Sequence, residues 1–553
     1  MIPKQNFLRQ SVFLLSIFFV LFPPMAIAVT PAEISSALLK EVTNYPEELL
    51  GCEWSSIKVT RQEQWICSVY HNLGIHPLWV NANGPTTRAK LIFAALKTVT
   101  PDGLNPSDYN MEQIESLWES RTAKDLAKLD MDITTGILRY VHDMQEGRFA
   151  PNRNNPKLFA QAGNSIFDPV QAIFNARNST DMATFLADLA PGHRHYQELK
   201  KELRHYRTIA EGDGWPVIPA GKTIQPGTTD SRIPALHQLL HKTGDLKSIM
   251  APDQQLYNGE LVDAVKRFQE RHTIKIDGII GSETKKALNV PVEKRIQQIL
   301  INMERWRWSE HNLGSRYVLV DIAGFTLQAV ENDATHLQMR VIVGKQHHKT
   351  PVFSDSIKYI EFNPFWNITP SIARNEMLKE LRKDNSYLTG KHIKLFSNWQ
   401  ADGVELHSES INWNEVNRKE ISRFKLRQEP GPWNALGVVK FVFPNKYSIY
   451  LHDTPVHSLF EHADRAFSHG CIRLSKPEQL AGFLLQFNDA GWTEEKIQLV
   501  IEKKKRKVIK LKTPIPVHLV YQTVWVAKDG TIHFSKDLYG RDQKLTKALF
   551  GEE

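Results

Sequence analysis

The chain has 553 residues, more than one hydrophobic core normally serves, so several domains are expected. Its formal net charge of +8 is modest and is spread along the chain apart from the basic run at 503–507, which argues against a nucleic-acid partner. With three cysteines in all, a fold held together by many disulfides is excluded.

The first residues have the pattern of a secretory signal peptide. Lys4 and Arg9 precede an apolar run over 12–22, and Ala26-Ile27-Ala28 is typical of a cleavage site. We therefore predict a signal peptide at 1–28 and a mature protein outside the cytoplasm. The alternative is an uncleaved membrane anchor, although the apolar run is short for a bilayer span.

The three cysteines divide into a pair and a single residue. Cys52 and Cys67 are close in sequence, whereas Cys471 is distant. For an oxidising compartment we predict a Cys52–Cys67 disulfide and a free Cys471 thiol; the alternative for the pair is two buried free thiols. Neither a CxxC nor an HExxH spacing occurs, so we expect no metal site.

Residues 29–230 have mostly helical periodicity. Ile133, Ile137 and Val141 recur at four-residue steps, as on one face of a helix, and Pro and Gly separate such segments. The stretch 212–230 is rich in Gly, Pro and Thr and is typical of a connecting segment. The pattern predicts a helical domain here.

A smaller helical module follows at 231–291, and a linker helix at 292–314. In the module, Val265 and Phe268 lie on one predicted helix face, Asp277-Gly278 forms a turn, and a further helix begins at Ser282. From Val292 the pattern is that of one long amphipathic helix.

Residues 315–545 are rich in strands. The predicted strands are 317–322, 337–343, 352–362, 438–443, 447–452 and 514–527, separated by Gly, Asn and Pro turns. They predict a mixed, mainly antiparallel sheet of sandwich type. Between them, residues 372–428 form a polar insertion predicted to be helical, with basic residues at Arg374, Lys379, Arg382 and Lys383.

The most informative feature is the pair of motifs His452-Asp453 and Ser468-His469-Gly470-Cys471, with fifteen residues between His452 and Ser468. A cysteine nucleophile needs a base for its proton and N–H groups for the oxyanion, and a histidine that ends a strand and a cysteine after a glycine turn can supply these. The spacing and the string SHGC resemble the catalytic signature of the L,D-transpeptidases of the YkuD-like family.

The resemblance implies roles for individual residues. Cys471 would be the nucleophile and His452 its base, with the imidazole oriented by the backbone carbonyl of Asp453. The Asp453 side chain is the alternative, but neighbours on a strand point to opposite faces. The N–H groups of Gly470 and Cys471 would hold the oxyanion.

Other residues of the signature have smaller predicted roles. His469 is expected to shape the site, Ser468 to form hydrogen bonds in the loop, and Tyr450 to line the cleft on the face of His452. Arg473 has two interpretations that stay open, a structural salt bridge or a contact with a substrate carboxylate. His457 and His462 are interpreted as loop residues rather than zinc ligands.

The flanking regions extend the resemblance to the large YcbB-type subgroup. The region 29–230 is similar to its helical scaffold domain, and 231–291 to its three-helix peptidoglycan-binding module, with a module that no longer binds the cell wall as the alternative. The implied fold is multidomain α+β, with a mainly β catalytic domain at 315–545 whose insertion at 372–428 caps the substrate cleft.

The resemblance implies an enzyme of a Gram-negative-type periplasm that forms 3→3 cross-links between peptidoglycan stem peptides. A cysteinyl thioester would form with loss of D-Ala, without a cofactor. The expected partners are stem peptides, glycan strands and wall-synthesis proteins. The alternatives are the same thioester with another acceptor (a lipoprotein lysine, a D-amino acid or water) and a non-catalytic wall-binding scaffold protein.

Overall fold

The computed structural model describes residues 29–43, 60–149, 167–212, 214–248, 255–488 and 491–551. The predicted signal peptide at 1–28 and Cys52 lie outside these ranges, so the signal peptide and the disulfide stay predictions. The chain forms two compact units, one of residues 1–90 and 112–135 and one of residues 91–111 and 136–553. Within the described ranges, no helix has both the length and the apolarity of a membrane span.

The N-terminal region is helical. Its helices are α1 (Pro31–Thr43), α2 (Arg61–Leu73), α3 (Thr87–Lys97), α4 (Met111–Leu117), α5 (Ala123–Gln145), α6 (Pro169–Asn178), α7 (Met182–Ala187) and α8 (Arg194–Glu211), with a hairpin of β1 (Val80–Asn81) and β2 (Gly84–Pro85). Helix α2 begins with a capping box, in which the Thr60 hydroxyl accepts from the Glu63 N–H and the Glu63 carboxylate accepts from the Thr60 N–H.

A buried carboxylate organises the first unit. Asp130 on α5 accepts the N–H groups of Leu78, Trp79 and Val80 at 2.6–3.1 Å and the Tyr70 hydroxyl at 2.7 Å. Burial raises the pKa of this carboxyl to about 6, although the hydrogen bonds oppose the shift. The chain that leads into the hairpin is therefore fixed to the helix by one side chain.

The smaller module and the linker helix consist of α9 (Ile233–Lys242), α10 (Gly259–Arg271), α11 (Ser282–Leu288) and α12 (Val292–Arg307). The core of the module includes Leu236, Val265, Phe268 and Leu288. The buried Gln269 amide accepts the Gly278 N–H at 2.8 Å and donates to the Ile279 carbonyl at 3.0 Å, which fixes the predicted Asp277-Gly278 turn.

Helix α12 contains a buried ion pair that also contacts α8 through the Tyr196 hydroxyl. The Arg307 guanidinium donates to Glu304 at 2.9 Å and to the Tyr196 hydroxyl at 3.1 Å, and it also donates to the Asp102 carbonyl. These acceptors satisfy a charge that would otherwise be costly to bury. The linker helix is thus an integral part of the second unit.

The strands that follow are β3 (Arg316–Asp321), β4 (Thr326–Glu331), β5 (Ala334–Gly344), β6 (Phe353–Phe362), β7 (Trp366–Ile368), β8 (Ile393–Phe396), β9 (Glu405–Leu406), β10 (Lys425–Gln428), β11 (Val439–Val442), β12 (Leu451–His452), β13 (Ala466–Ser468), β14 (Ile472–Leu474), β15 (Lys507–Val520), β16 (Val524–Val526) and β17 (Ile532–Phe534). Helices α13 (Pro477–Leu485) and α14 (Glu494–Glu502) cover the sheet, and α15 (Arg541–Phe550) follows it.

Nine of these strands form the main sheet, in the order β13-β5-β14-β12-β11-β6-β15-β3-β4. Strand β4 also pairs with β5, so the sheet closes on itself. The pairs β12–β14, β13–β5 and β15–β3 are parallel, and the other pairs are antiparallel. The multidomain α+β architecture with a mainly β domain is confirmed.

Two sequence predictions need correction. The strand predicted at 447–452 is reduced to Leu451–His452, because Ser448 has φ +56° and Asn445 Oδ1 accepts the Tyr447 and Ile449 N–H groups in a turn. The insertion is only partly helical. Besides turns such as the π-helical Ala373–Met377, it contains β8, β9 and β10, which form a four-stranded sheet with β7 around its own apolar core.

Candidate active site

Two parallel strands bring the halves of the signature together. Strand β12 runs beside β14, with Leu451 opposite Ile472 and His452 opposite Arg473. The Ile472 N–H donates to the Tyr450 carbonyl at 3.1 Å, so the register places Cys471 opposite Tyr450. Opposite residues share a face and successive residues alternate. The face opposite the core therefore carries Tyr450, His452, Cys471 and Arg473.

The same face continues across four strands as a row that consists of three charged residues and the histidine. Lys440 of β11 is opposite His452, and Glu361 of β6 is opposite Lys440. We call Glu361, Lys440, His452 and Arg473 the charged row. Lys440 Nζ lies 4.0 Å from a Glu361 carboxylate oxygen and 4.2 Å from the centroid of the Tyr450 ring.

Lys440 and Glu361 were not predicted from the sequence. The available signal was the alternation in Val439-Lys440-Phe441, in which a polar residue stands between two that are fully buried. The pairing of β11 with β12, which places Lys440 beside His452, is non-local and cannot be derived from that pattern alone.

The His452 imidazole is held in one tautomer. Its Nδ1 lies 2.5 Å from the Asp453 carbonyl oxygen, which can only accept, so Nδ1 carries the proton and Nε2 is a free base. Burial, with Arg473 and Lys440 nearby, lowers the pKa of His452 to about 3. The imidazole is therefore neutral at ordinary pH and can accept a proton.

The Asp453 side chain turns away from the imidazole. Its carboxylate accepts the Val438 N–H at 2.9 Å and packs against Gly437, where φ is +60° and a Cβ would collide with the carboxylate. The backbone carbonyl of Asp453 therefore accepts a hydrogen bond from His452, and its carboxylate accepts one from the turn before β11.

The Cys471 thiol is partly buried, which raises its pKa. The Tyr450 hydroxyl and the cations Lys440 and Arg473 act in the opposite direction, because each stabilises the thiolate. Burial keeps the Tyr450 phenol protonated, with its pKa raised well above the usual value, so this hydroxyl can donate to sulfur.

The loop before Cys471 is fixed by hydrogen bonds. The Ser468 hydroxyl donates to the Cys471 carbonyl at 2.5 Å and accepts the Gly470 N–H at 3.0 Å. The Thr350 hydroxyl donates to the Gly470 carbonyl at 2.8 Å. Gly470 has φ +116°, a region that favours glycine. Because the Gly470 N–H is already bonded to Ser468, it is not free for an oxyanion in this structure.

Arg473 projects beside the thiol with a pKa lowered by burial. Its Nε is buried and has no hydrogen-bond partner among the described residues. A buried guanidinium with an unpaired N–H can bind the carboxylate of a ligand.

His469 points to the insertion instead of the charged row. Its Nε2 lies 2.5 Å from Glu376 Oε1 on the π-helical turn, and its ring centroid is 5.0 Å from that of His348. Glu376 was also missed from the sequence, since it is 93 residues away from His469 along the chain.

The remaining predicted residues lie elsewhere. Cys67 is buried on α2, where burial raises the pKa of its thiol. His457 is in a 3-10 turn, and His462 packs edge-on against Phe467. In the parts of the chain that the structure describes, no three His, Cys, Asp or Glu side chains are grouped as metal ligands would be.

Three segments of the chain match known families. Residues 315–517 match the L,D-transpeptidase catalytic domain, residues 229–288 match the "Putative peptidoglycan binding domain", and residues 64–203 match the "Scaffold domain". A Haemophilus influenzae protein named "Putative L,D-transpeptidase" is 34% identical over 231 residues, which are 42% of this chain and 45% of that protein. The chain thus matches less than half of that relative's length.

Solved L,D-transpeptidases are also similar. One from Xylanimonas cellulosilytica is 15% identical, with 55% of this chain and 99% of that chain covered and a TM-score of 0.18. One from Mycobacterium smegmatis is 12% identical, with 37% and 58% covered and a TM-score of 0.18. The chain is thus similar to the L,D-transpeptidase catalytic domain over residues 315–517 and to the peptidoglycan-binding domain over residues 229–288.

Proposed function

We propose that this protein is a peptidoglycan L,D-transpeptidase that forms 3→3 cross-links through a thioester on Cys471. The donor is a tetrapeptide stem, and the acceptor is the side-chain amine of diaminopimelate in a second stem. One observation carries the proposal: strand register puts Cys471 on the face of a neutral His452 whose Nδ1 proton is held by a backbone carbonyl.

The first step forms the thioester. His452 Nε2 takes the thiol proton of Cys471, and sulfur attacks the carbonyl carbon of the third stem residue. The bond from that carbon to the nitrogen of D-Ala then breaks, and the imidazolium returns its proton to the departing amine. Lys440 and the Tyr450 hydroxyl stabilise the negative charge on sulfur before it attacks.

The second step transfers the acyl group. The acceptor amine attacks the thioester carbon and loses a proton to His452, and the carbon–sulfur bond breaks. The thiolate then recovers a proton from the imidazolium, so the enzyme is regenerated and no cofactor is consumed.

The oxyanion of both steps is assigned to the Cys471 N–H. The predicted partner donor, the Gly470 N–H, would first have to leave the Ser468 hydroxyl. Ser468 is therefore proposed to hold the loop in shape, and Arg473, with its unpartnered Nε, to bind a carboxylate of the stem peptide.

The insertion is proposed to cover the peptide cleft, and the site of action to be the periplasm. The contact between His469 and Glu376 supports the first point, since it joins the signature loop to the insertion. Transfer to an amine must outcompete water, and a cover that orients the acceptor and excludes solvent favours transfer.

The test uses purified tetrapeptide muropeptides and mass spectrometry of the products. We expect a 3→3 dimer, release of D-Ala and a transient acyl adduct on Cys471, all absent from Cys471→Ala. A 3→3 dimer formed by Cys471→Ala would refute the proposal. An adduct that yields only tripeptide, a D-amino-acid exchange product or a lipoprotein conjugate would assign a different acceptor.

A further inference from the structure

A cleft lies between the module at 231–291 and the main sheet. Its volume is about 920 Å³. Residues 273–276, which follow α10, form one wall, and β4, β5 and Ser475 form the other. Trp525 and His533 of the β16–β17 hairpin also line it. Clefts at the junction of two domains are the usual places for ligands.

This cleft and the active site share one face of the sheet. Arg473 is opposite Ile342 on β5, and Arg340, two residues earlier, is opposite Thr326 on β4. By alternation, Arg340 and Thr326 are on the face of Arg473 and Cys471. Ser475 is four residues beyond Cys471, a separation of about 13 Å at 3.3 Å per residue.

The two aromatic side chains provide an uncharged stacking surface. Trp525 and His533 are opposite each other in the hairpin, with ring centroids 4.0 Å apart and an angle of 9° between the rings. Burial lowers the pKa of His533 to about 4, so its ring is neutral at ordinary pH. The apolar face of a sugar ring packs well on such a surface.

The cleft is lined by charges of both signs, namely the cations Lys275, Arg340, Arg465 and Lys476 and the carboxylates Glu270 and Glu461. Arg340 lies 3.0 Å from Glu461, and Lys275 lies 3.4 Å from Asp277. These side chains offer hydrogen-bond donors and acceptors to a hydroxyl-rich and amide-rich ligand.

The walls of the cleft are tied together. Phe534 of the hairpin stacks on His272 of the module at 5.5 Å between centroids, and the Arg295 guanidinium lies 4.4 Å from the Phe534 ring. Lys536 forms an ion pair with Glu283 at 2.9 Å. These contacts hold the module at a fixed distance from the sheet, so the cleft is preformed.

We propose that this cleft binds a segment of the N-acetylated amino-sugar glycan strand, with Trp525 and His533 as the stacking platform. The proposal rests on the proposed function and deepens it, because a glycan held here keeps its attached stem peptides within reach of Cys471 on the same face. The module and the sheet then share one glycan site.

The test measures binding of a β-1,4-linked N-acetylglucosamine tetramer to the full chain with Cys471→Ala, by isothermal titration calorimetry. We expect Trp525→Leu to weaken binding at least tenfold. Trp399→Leu, an equally drastic change at an exposed tryptophan in the insertion, is the matched control and should bind as the parent does.

A second variant guards against misfolding of the hairpin. Ile276 on the opposite wall is 51% exposed, so Ile276→Asp should preserve the fold and still weaken binding several-fold. The proposal is overturned if the parent does not bind the tetramer, if both cleft variants bind it normally, or if a sugar-free tetrapeptide displaces it.

We expect the carbapenem imipenem, whose strained carbonyl mimics that of the donor, to acylate Cys471, and this reaction separates the inference from the proposed function. The small β-lactam needs the nucleophile and its base but not the glycan cleft, so Trp525→Leu in the otherwise intact enzyme should be acylated at the parent rate. Normal acylation together with absent tetramer binding would reject the glycan cleft alone. An intact enzyme that fails to be acylated would count against the thioester mechanism itself.

Discussion

The two faces of the sheet formed by β6, β11, β12 and β14 differ in polarity, although successive residues of each strand contribute to them in turn. The outer face carries the charged row, Glu361, Lys440, His452 and Arg473. The inner face carries Ile360, Phe441, Leu451 and Ile472, each fully buried in the core. Because the strand period is two, stability and chemistry can be altered almost independently by neighbouring substitutions.

The largest expected effect on chemistry is that of His452→Ala on the outer face. Without the base, acylation of Cys471 by imipenem should slow about a thousand-fold, within the range for general base catalysis. The melting temperature should change little compared with the inner-face variants. Intact-mass kinetics and thermal unfolding measure the two effects, and rapid acylation of this variant would contradict the assignment of the base.

The matching inner-face change is Phe441→Ala, one residue from Lys440. Removal of this buried ring should lower the free energy of unfolding by about 3–5 kcal/mol. The acylation rate per folded molecule should stay near that of the parent. Denaturant titration with the kinetics repeated on the folded fraction is the measurement; a large rate loss in folded protein would show that the two faces are coupled.

A smaller effect is expected from Lys440→Met, which removes a cation that favours the Cys471 thiolate. The pKa of the thiol should rise, so less thiolate is present at pH 7, and acylation there should slow by up to about tenfold and recover at high pH. The pH–rate profile measures this, with Lys440→Arg as the control that keeps the charge. Superimposable profiles for parent and Lys440→Met would exclude the electrostatic role.

The smallest expected effect is that of Glu376→Gln, which weakens the contact between the insertion and His469. Partly exposed ion pairs contribute little, so we expect a loss of about two- to fivefold in cross-linking. Imipenem acylation should be unaffected. Glu380→Gln, which removes an exposed carboxylate paired with Lys383 on the same segment, is the control. Equal losses in both reactions would exclude a role specific to the cover.

A residue of the site can be predicted from the sequence when it lies close along the chain to the residues that it contacts. His452 and Cys471 could be predicted as base and nucleophile because their motif is short and its chemistry is explicit, and strand register places them on one face of the sheet. Strand alternation predicts that the Asp453 side chain points away from His452. In the structure, its carboxylate accepts a hydrogen bond from the Val438 N–H. Lys440 and Glu376 were missed because strand pairing and insertion docking, not local pattern, bring them to the site.

The fold shows the same limit. The helices of the module and the linker follow from apolar periodicity, as does the existence of strands in the last region. The prediction of helix was wrong for β8 and β10. Their apolar side chains pack on a core inside the insertion, and the polar residues on either side of these short strands obscure the alternating pattern in the sequence. The closure of the main sheet through β4 and β5 is likewise a matter of long-range pairing.

The hydrogen bonds behind the signature loop also constrain how the protein matures. The Tyr539 hydroxyl donates to the Gly344 carbonyl at 2.7 Å and accepts the Thr350 N–H at 3.2 Å, while Thr350 in turn holds Gly470. The loop that holds the proposed nucleophile is therefore supported by Tyr539, which lies 68 positions after Cys471. A nascent chain that does not yet include Tyr539 would lack these hydrogen bonds, so we expect the Cys471 thiol to become reactive only after the C-terminal part of the chain has been synthesised.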